Sequence, residues 1–434
     1  VFDDIAAVLR RFSALGATKA FCKPLAENDN SKQQIYLGSS LDAVQMFPVC
    51  GVSADAKTKK GRYKARLNFQ WVNATSTEEA KGAQLVLYPQ YPEVRLSGFL
   101  RGCRHAPNEL LRPLPKEMRQ HNNGSDGRVL FFGVTSEGVT LACLAATGSN
   151  LAVEAMRMIT EGELEKESVF FNLPLHGQSS RLILLEKLTD IRRAGWHPSV
   201  RLSRAAEVLP YDARNGGGYT LEALLGVIPN GRAEPDFMGW EIKAHSGGRI
   251  TLMTPEPDAG MYHDAGVKAF VTRFGAPAGN DTLYFTGVHK VGTRNEKTGL
   301  NLSIRGFNNS KTVIEDVDGA VELVTDAGEC VAGWSFAGLM IRWNKKHAQA
   351  AYVSYESEKV LAPAYRYLSP ALLGEGTDFH RYLGALMSGV IVFDPGSKVV
   401  GASTANSRVK ARSQFRTSTR HLSALYKKFE RVDI

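Results

Sequence analysis

No run of about 18 apolar residues occurs in this sequence, so no helix able to span a bilayer is expected. Cysteine is scarce and dispersed: Cys22, Cys50, Cys103, Cys143 and Cys330 form no Cys-x-x-Cys pair, and the histidines do not cluster. That spacing argues against a zinc site and a disulfide framework, and fits small core residues in a reducing cytoplasm. Internal repeats and low-complexity tracts are also missing. The opening Val1-Phe2-Asp3-Asp4 has neither a basic region nor a continuous apolar stretch, so no signal peptide is expected. Acidic residues are the minority charge, 44 against 53 Lys and Arg, giving a formal net charge of +9. A polyanionic partner suits that sign, because Lys and Arg that neutralise phosphates release condensed counterions. The imbalance is sharpest from residue 395 onward. There Lys398, Arg408, Lys410, Arg412, Arg416, Arg420, Lys427, Lys428 and Arg431 meet only Glu430 and Asp433.

What remains is the composition of a soluble globular protein, 43% hydrophobic and 22% charged. A length of 434 residues exceeds one ordinary core and implies two domains. Phe2 to Leu15 has apolar residues at helical spacing and stops at Gly16. Short extended stretches follow (residues 34–37, 65–72, 84–88 and 128–133), punctuated by turn residues, which predicts a β-rich region to about residue 150. Residues 151–168 read as helical, and Asn172 to Ser180 has loop composition. We therefore expect a β-rich domain over 1–170, a linker over 171–180 and an α/β domain over 181–434. In the latter, helices are expected at 181–194, 265–274 and 333–342, and strands at 283–288 and 300–304.

The chemistry concentrates in Gly216-Gly217-Gly218-Tyr219-Thr220-Leu221-Glu222 and in Pro235-Asp236-Phe237-Met238-Gly239-Trp240-Glu241-Ile242-Lys243. The glycines read as a flexible loop, Thr220 as the cap of a short helix bearing Glu222, and Gly226 as its end. Pro235-Asp236 reads as a turn, and 240–244 alternates as a strand, which puts Glu241 and Lys243 on one face. Asp236 and Glu241 supply hard oxygens for Mg²⁺, and Lys243 can orient a water and counter developing charge. Glu222 could order the metal shell or hold a second ion. Taken alone, Asp236, Glu241 and Lys243 describe a surface ion-pair strand at least as well as a metal site.

Longer matches decide between those readings. Gly195-Trp196, the Gly217-to-Gly226 block, Pro235 to Lys243, Leu252 to Pro257, Gly287-Val288-His289, Trp343 to Ala350, Gly376 to Phe379, Phe393 to Gly396 and Arg412 to Arg416 occur in this order. From about Arg181 onward the sequence resembles the MvaI/BcnI restriction endonuclease family, whose nuclease core is shared with the nicking enzyme MutH. The resemblance implies a PD-(D/E)xK fold, a mixed sheet flanked by helices. It implies Asp236 and Glu241 as metal ligands, Lys243 as the catalytic lysine and Glu222 as the helical glutamate of the MutH-like pattern. Mg²⁺, with Mn²⁺ able to substitute, is the cofactor it implies. The implied activity is type II restriction-like cleavage of double-stranded DNA in phage defence, by a monomer, at a short C/G-rich site such as CCWGG or CCSGG. Rival readings are a strand-specific repair nickase and a silent DNA-binding regulator on a dead nuclease scaffold. The intact Asp236, Glu241 and Lys243 argue against the regulator.

Lys23-Pro24-Leu25-Ala26-Glu27-Asn28-Asp29-Asn30, with Ile35-Tyr36 and Met46-Phe47-Pro48, is similar to the start of the EcoRII-type effector domain, a DNA-binding β-pseudobarrel. This resemblance implies a DNA-recognition or allosteric role, with up to two DNA copies bound, one per domain, and makes Lys23, Asn28 and Asn30 candidate contacts. Asn28-Asp29-Asn30 reads equally as a bare turn. Other candidate DNA contacts are His289, the Lys345-Lys346-His347 cluster, Lys410, and Arg412 with Arg416, which would share a face if helical. Each histidine is alternatively an internally bonded structural residue. The basic run Lys57, Lys59, Lys60, Arg62, Lys64 and Arg66 reads as a solvated loop or a grip on DNA backbone, and Trp334 with Phe336 as core.

Overall fold

In the computed structural model, Asp4 caps the first helix, Ile5–Ala14, its side chain accepting the Ala7 N–H at 2.6 Å. The structure describes residues 2–26, 34–39, 41–57, 61–90, 93–104, 106–111, 125–175, 179–229 and 235–434, the side chains of 41–43 and 345 excepted. The chain divides into two compact units, Val1–Ile183 and Leu184–Ile434. Among the described residues no helix is long and apolar enough to cross a membrane.

The first unit is built on one eleven-stranded sheet. Its strands run in the order Lys166–Glu167, Phe170–Leu173, Ala17–Ala26, Ser125–Thr135, Val139–Ala145, Arg62–Val72, Gln84–Tyr88, Glu93–Ser97 and Gln34–Gly38, with Val49–Asp55 and Thr77–Glu79 also on Arg62–Val72. Val129 to Phe132 are all buried, as in a strand covered on both faces. On one side, Ile5, Val8 and Phe12 of the first helix and Leu151, Ala152 and Ala155 of helix Asn150–Thr160 pack against Val129 and Phe131. On the other, Phe21, Phe47, Phe132 and Phe170 stack edge to face or tilted, with centroids 5.2 to 6.2 Å apart. The two ends of the sheet do not pair, so no closed barrel forms among the described residues. The expected helix over 151–168 stops at Thr160, where the chain turns through Gly162 at φ +74°, and Lys166–Glu167 is extended. The basic run divides: Lys57 lies in an exposed turn, as the solvated-loop reading expects, and from Arg62 on the run is strand. Arg62 and Lys64 lie in a strand and pair with Asp55 at 3.0 and 2.9 Å, while Lys59 and Lys60 lie outside the described residues.

In the second unit a mixed sheet runs Trp196–Pro198, Pro363–Tyr367, Gln349–Lys359, Ala371–Glu375, Lys428–Val432, and Glu241–His245 joins Gln349–Lys359 in parallel. Five smaller sheets and, among its helices, Gly216–Leu224, Gly266–Phe274, Phe336–His347 and Phe379–Met387 belong to this unit, as does most of helix Ser180–Arg193, whose Leu184, Leu188 and Ile191 are buried. The helix expected to start at Gly333 starts at Phe336. Cys330–Ser335 instead pairs with Ala320–Val324, burying Val331, Ala332 and Trp334, and Ser335 then caps the helix by accepting the Gly338 N–H at 3.2 Å. Trp334 and Phe336 are core residues, 1% and 0% exposed.

Candidate active site

Glu222 rides on helix Gly216–Leu224, which begins a turn earlier than expected, with Asn215 at its N-cap position. The glycines are helical because of what lies against them. A Cβ on Gly216 would fall 2.3 Å from the Tyr365 hydroxyl, and one on Gly217 2.5 Å from the Tyr355 ring. Close approach to the sheet, rather than loop flexibility, is what Gly216 and Gly217 provide. Thr220 is not a cap either: its buried hydroxyl takes the Val200 N–H at 3.1 Å and donates to the Val200 carbonyl at 3.2 Å. Tyr367 adds a hydrogen bond to the Gly217 carbonyl at 2.7 Å. The helix is thus pinned at its first turn.

Asp236 and Glu241 are brought together by a tight reversal. Phe237 and Trp240 exchange both backbone hydrogen bonds, at 2.9 and 2.8 Å, across Met238 and Gly239, both at positive φ. Two left-handed central residues give the hairpin turn whose twist suits its flanking strands. Trp240, 0% exposed, anchors the turn in the core. Beyond the turn, Asp236 Oδ2 accepts the Ile242 N–H at 2.9 Å. Lys243 Nζ stands 2.5 Å from Glu241 Oε1, as expected for two residues on one strand face. The unexpected member is Lys346, whose Nζ lies 3.3 and 3.4 Å from the two Glu241 oxygens. It arrives because Gln349–Lys359, which follows its helix, pairs with the Glu241 strand, setting Glu241 opposite Ala350.

The three carboxylates and two lysines act on one another electrostatically. Burial, then the neighbouring Asp236 carboxylate, pushes the Glu222 carboxyl up to about 7. Burial and then Glu241 push Asp236 up to about 6, against the Ile242 hydrogen bond and the two lysines. Burial is also the largest influence on Glu241, yet Lys243 and Lys346 together outweigh it and hold that carboxyl below its usual range. Lys243, opposed by burial, is raised by Glu241, Asp236 and Glu222, so it stays an ammonium. Among the described residues, no three Cys, His, Asp or Glu side chains form a preformed metal nest. The donor chemistry still fits a hard divalent cation: all three acids offer oxygen, and two of them carry raised proton affinity that a cation would relieve.

The remaining candidates disperse. Both histidines are 0% exposed, which favours their alternative reading as internally bonded structural residues. His347 stacks on Trp343 and bonds the Tyr426 hydroxyl at 3.2 Å and the Leu252 carbonyl at 3.0 Å, and burial pushes its imidazole down to about 3. His289 meets Thr298 Oγ1 at 2.9 Å and packs between Phe285 and Phe393. Lys23 is likewise buried, at 5% exposure, donating to the Pro24 carbonyl at 3.2 Å, and Asn28 and Asn30 lie outside the described residues. The side chain of Lys345 is also outside them. Arg412 and Arg416 do not share a helix: Arg416 sits in strand Phe415–Ser418 and pairs with Asp394 at 2.9 Å, whereas Arg412 and Lys410 are exposed. Of these candidates Lys346 alone stands against Glu241, a partner that no local spacing could have tied to it.

A model of the MvaI/BcnI restriction endonuclease family matches residues 185–426, more than half of the chain. Two solved structures are similar to it. Restriction endonuclease MvaI in complex with its cognate DNA substrate is 21% identical, covers 58% of this chain and 99% of its own, and has a TM-score of 0.44. MvaI in the absence of DNA is 16% identical, covers 59% and 98%, and has a TM-score of 0.32. No curated protein matches the chain.

Proposed function

The chain belongs to the MvaI/BcnI restriction endonuclease family, and from that premise we propose that Glu222, Asp236, Glu241 and Lys243 hydrolyse phosphodiester bonds of double-stranded DNA with Mg²⁺. A type II restriction-like endonuclease activity follows from the family. The observation that supports this site for it is the mutual electrostatic influence of three carboxylates around Lys243, within the matched segment.

Asp236 and Glu241 would hold the Mg²⁺, which when bound supplies electrophilic stabilisation of charge on the scissile phosphate. The other roles belong to the chain. In the reaction a water oxygen bonds to phosphorus, one bridging P–O bond breaks, and the leaving oxygen is protonated. Lys243, kept protonated by its acidic neighbours, donates a hydrogen bond to the incoming water or to a phosphate oxygen as charge develops there. Glu222, whose proton affinity lies near neutrality, is suited to take the proton that the water releases. Lys346 keeps Glu241 ionised from the side opposite in sequence.

We read the first unit as a DNA-recognition or allosteric domain, on the similarity of residues 23–48 to the EcoRII-type effector domain. Photo-crosslinking of the full chain to duplex DNA, followed by peptide mapping, tests this. Absence of any crosslinked peptide from residues 1–183 would remove that role. The catalytic reading is tested by incubating varied plasmid and phage DNA with Mg²⁺ and mapping the ends. Wild type should cut, and Asp236→Ala should bind without cutting. If both are inert on every DNA while binding tightly, the site is not catalytic.

A further inference from the structure

In the four-stranded sheet of Ala276–Pro277, Thr282–Thr286, Gly396–Val400 and Arg408–Lys410, Phe285, Ser397 and Val399 are buried on one face of the two central strands, and the edge strand Arg408–Lys410 is exposed throughout. Cross-strand partners in register share a face. Tyr284, Lys398 and Lys410 therefore form one outward row, and Thr282, Val400 and Arg408 a second. The ladder continues past the strand end, where the Gly396 N–H donates to the Arg412 carbonyl at 2.9 Å. A Cβ on Gly396 would lie 2.9 Å from Arg412 Cδ, so the Arg412 side chain lies across that glycine. Arg408, Lys410 and Arg412 are exposed and recur at alternate positions, about 7 Å apart in extended chain.

Lys398 directly opposite Lys410 is an unfavourable pairing, since like charges across a strand pair repel. Among the described residues no acid forms an ion pair with Lys398, Arg408, Lys410 or Arg412. The polar contact of Lys398 is neutral: its Nζ lies 3.1 Å from the Tyr284 hydroxyl and over that ring at 5.2 Å. Asp281, at the rim, is taken up by the Ser403 N–H and hydroxyl at 3.1 and 2.8 Å. Arg416 and Arg249 provide the contrast, since both are neutralised by Asp394, at 2.9 and 3.0 Å.

We propose that this outward face grips the phosphate backbone of duplex DNA through Lys398, Arg408, Lys410 and Arg412. A regular row of uncompensated cations on a rigid sheet suits a regular row of phosphates. Ammonium and guanidinium groups bonded to phosphate oxygens position a backbone and read no sequence. The identity of the polyanion rests on the endonuclease reading above; the charged face itself does not.

The test compares the full-length wild type with Arg408→Ala/Lys410→Ala/Arg412→Ala, binding a short duplex of random sequence in EDTA over a salt titration. Each lost phosphate contact should flatten the slope of log K against log salt by about 0.9, so by roughly 3 for the triple variant. Affinity should fall alike for every sequence, and Arg408→Lys/Arg412→Lys should keep the wild-type slope. An unchanged slope overturns the proposal, as it would for a face that serves an acidic protein. A loss confined to one base sequence overturns it too, because that is base readout. Lys243→Ala is run alongside: if it still cuts, the catalytic reading fails while the binding comparison still decides the grip.

Discussion

Lys243 Nζ stands 2.5 Å from Glu241 Oε1, and that oxygen belongs to a side chain only 2% exposed. A carboxylate so enclosed keeps its charge only because cations face it, and Lys346 is the second. Lys243→Ala should therefore abolish cleavage, with a loss of about 10²–10³-fold or more, as when an electrostatic stabiliser is removed. It should also destabilise the protein by about 1–3 kcal/mol, below the ~3–5 kcal/mol of an outright broken buried pair, because Lys346 remains. Urea denaturation beside single-turnover cleavage checks both. Lys243→Ala/Lys346→Ala should cost clearly more stability than Lys243→Ala.

Metal-free stability should fall as pH rises toward neutrality and above. Glu222 and Asp236 are raised in the folded protein to about 7 and about 6, so the folded state holds protons that the unfolded chain has released. Their contribution is full below the ordinary carboxylate range, near pH 4, and is lost as pH climbs through 6 and 7. Thermal melts from pH 5 to 8 in EDTA should show a steeper decline for wild type than for Glu222→Gln. Mg²⁺ should oppose the decline, since it favours the ionised acids. Equal slopes for the two proteins would mean that Glu222 does not titrate in this window.

Gly217→Ala should weaken the fold and cleavage together. The new methyl would meet the Tyr355 ring at 2.5 Å, and the helix that yields is the one carrying Glu222. Overpacking of this kind costs about 1–3 kcal/mol. Shortening the ring in Gly217→Ala/Tyr355→Leu should restore part of the melting temperature. A loss that Tyr355→Leu cannot relieve would point to backbone conformation instead of the steric contact.

His347→Ala should behave as a core lesion. Both ring nitrogens are engaged within the protein, and removing the ring strands the Leu252 carbonyl. A stability loss of about 1–3 kcal/mol is expected from the stranded partner alone. The salt slope of DNA binding should not move. A flatter slope with an unchanged melting temperature would return this residue to the DNA-facing surface.

Several elements were legible because their signals are local. The alternation that puts Glu241 and Lys243 on one face operates within three residues, and the turn at Met238-Gly239 returns Asp236 to them within six. The helices at Ile5–Ala14 and Gly266–Phe274 and the strand Leu300–Arg305 follow apolar spacing in the same way. The glycines at 216 and 217 misled because composition alone does not separate freedom from close packing. The rings of Tyr365 and Tyr355 that require them lie more than a hundred residues away in sequence.

The sequence by itself determined the family, the two-unit scale, and an acid–acid–lysine set on a turn and strand, because backbone geometry fixes relations between near neighbours. Tertiary structure decided the rest. It set Lys346 on Glu241 through a parallel strand pairing, buried His289 and His347, neutralised Arg416 with Asp394, and left Lys398 facing Lys410. Those outcomes depend on which surfaces leave water and which strands pair, and a long-range pairing is selected by burial over the whole unit, with no trace in local spacing.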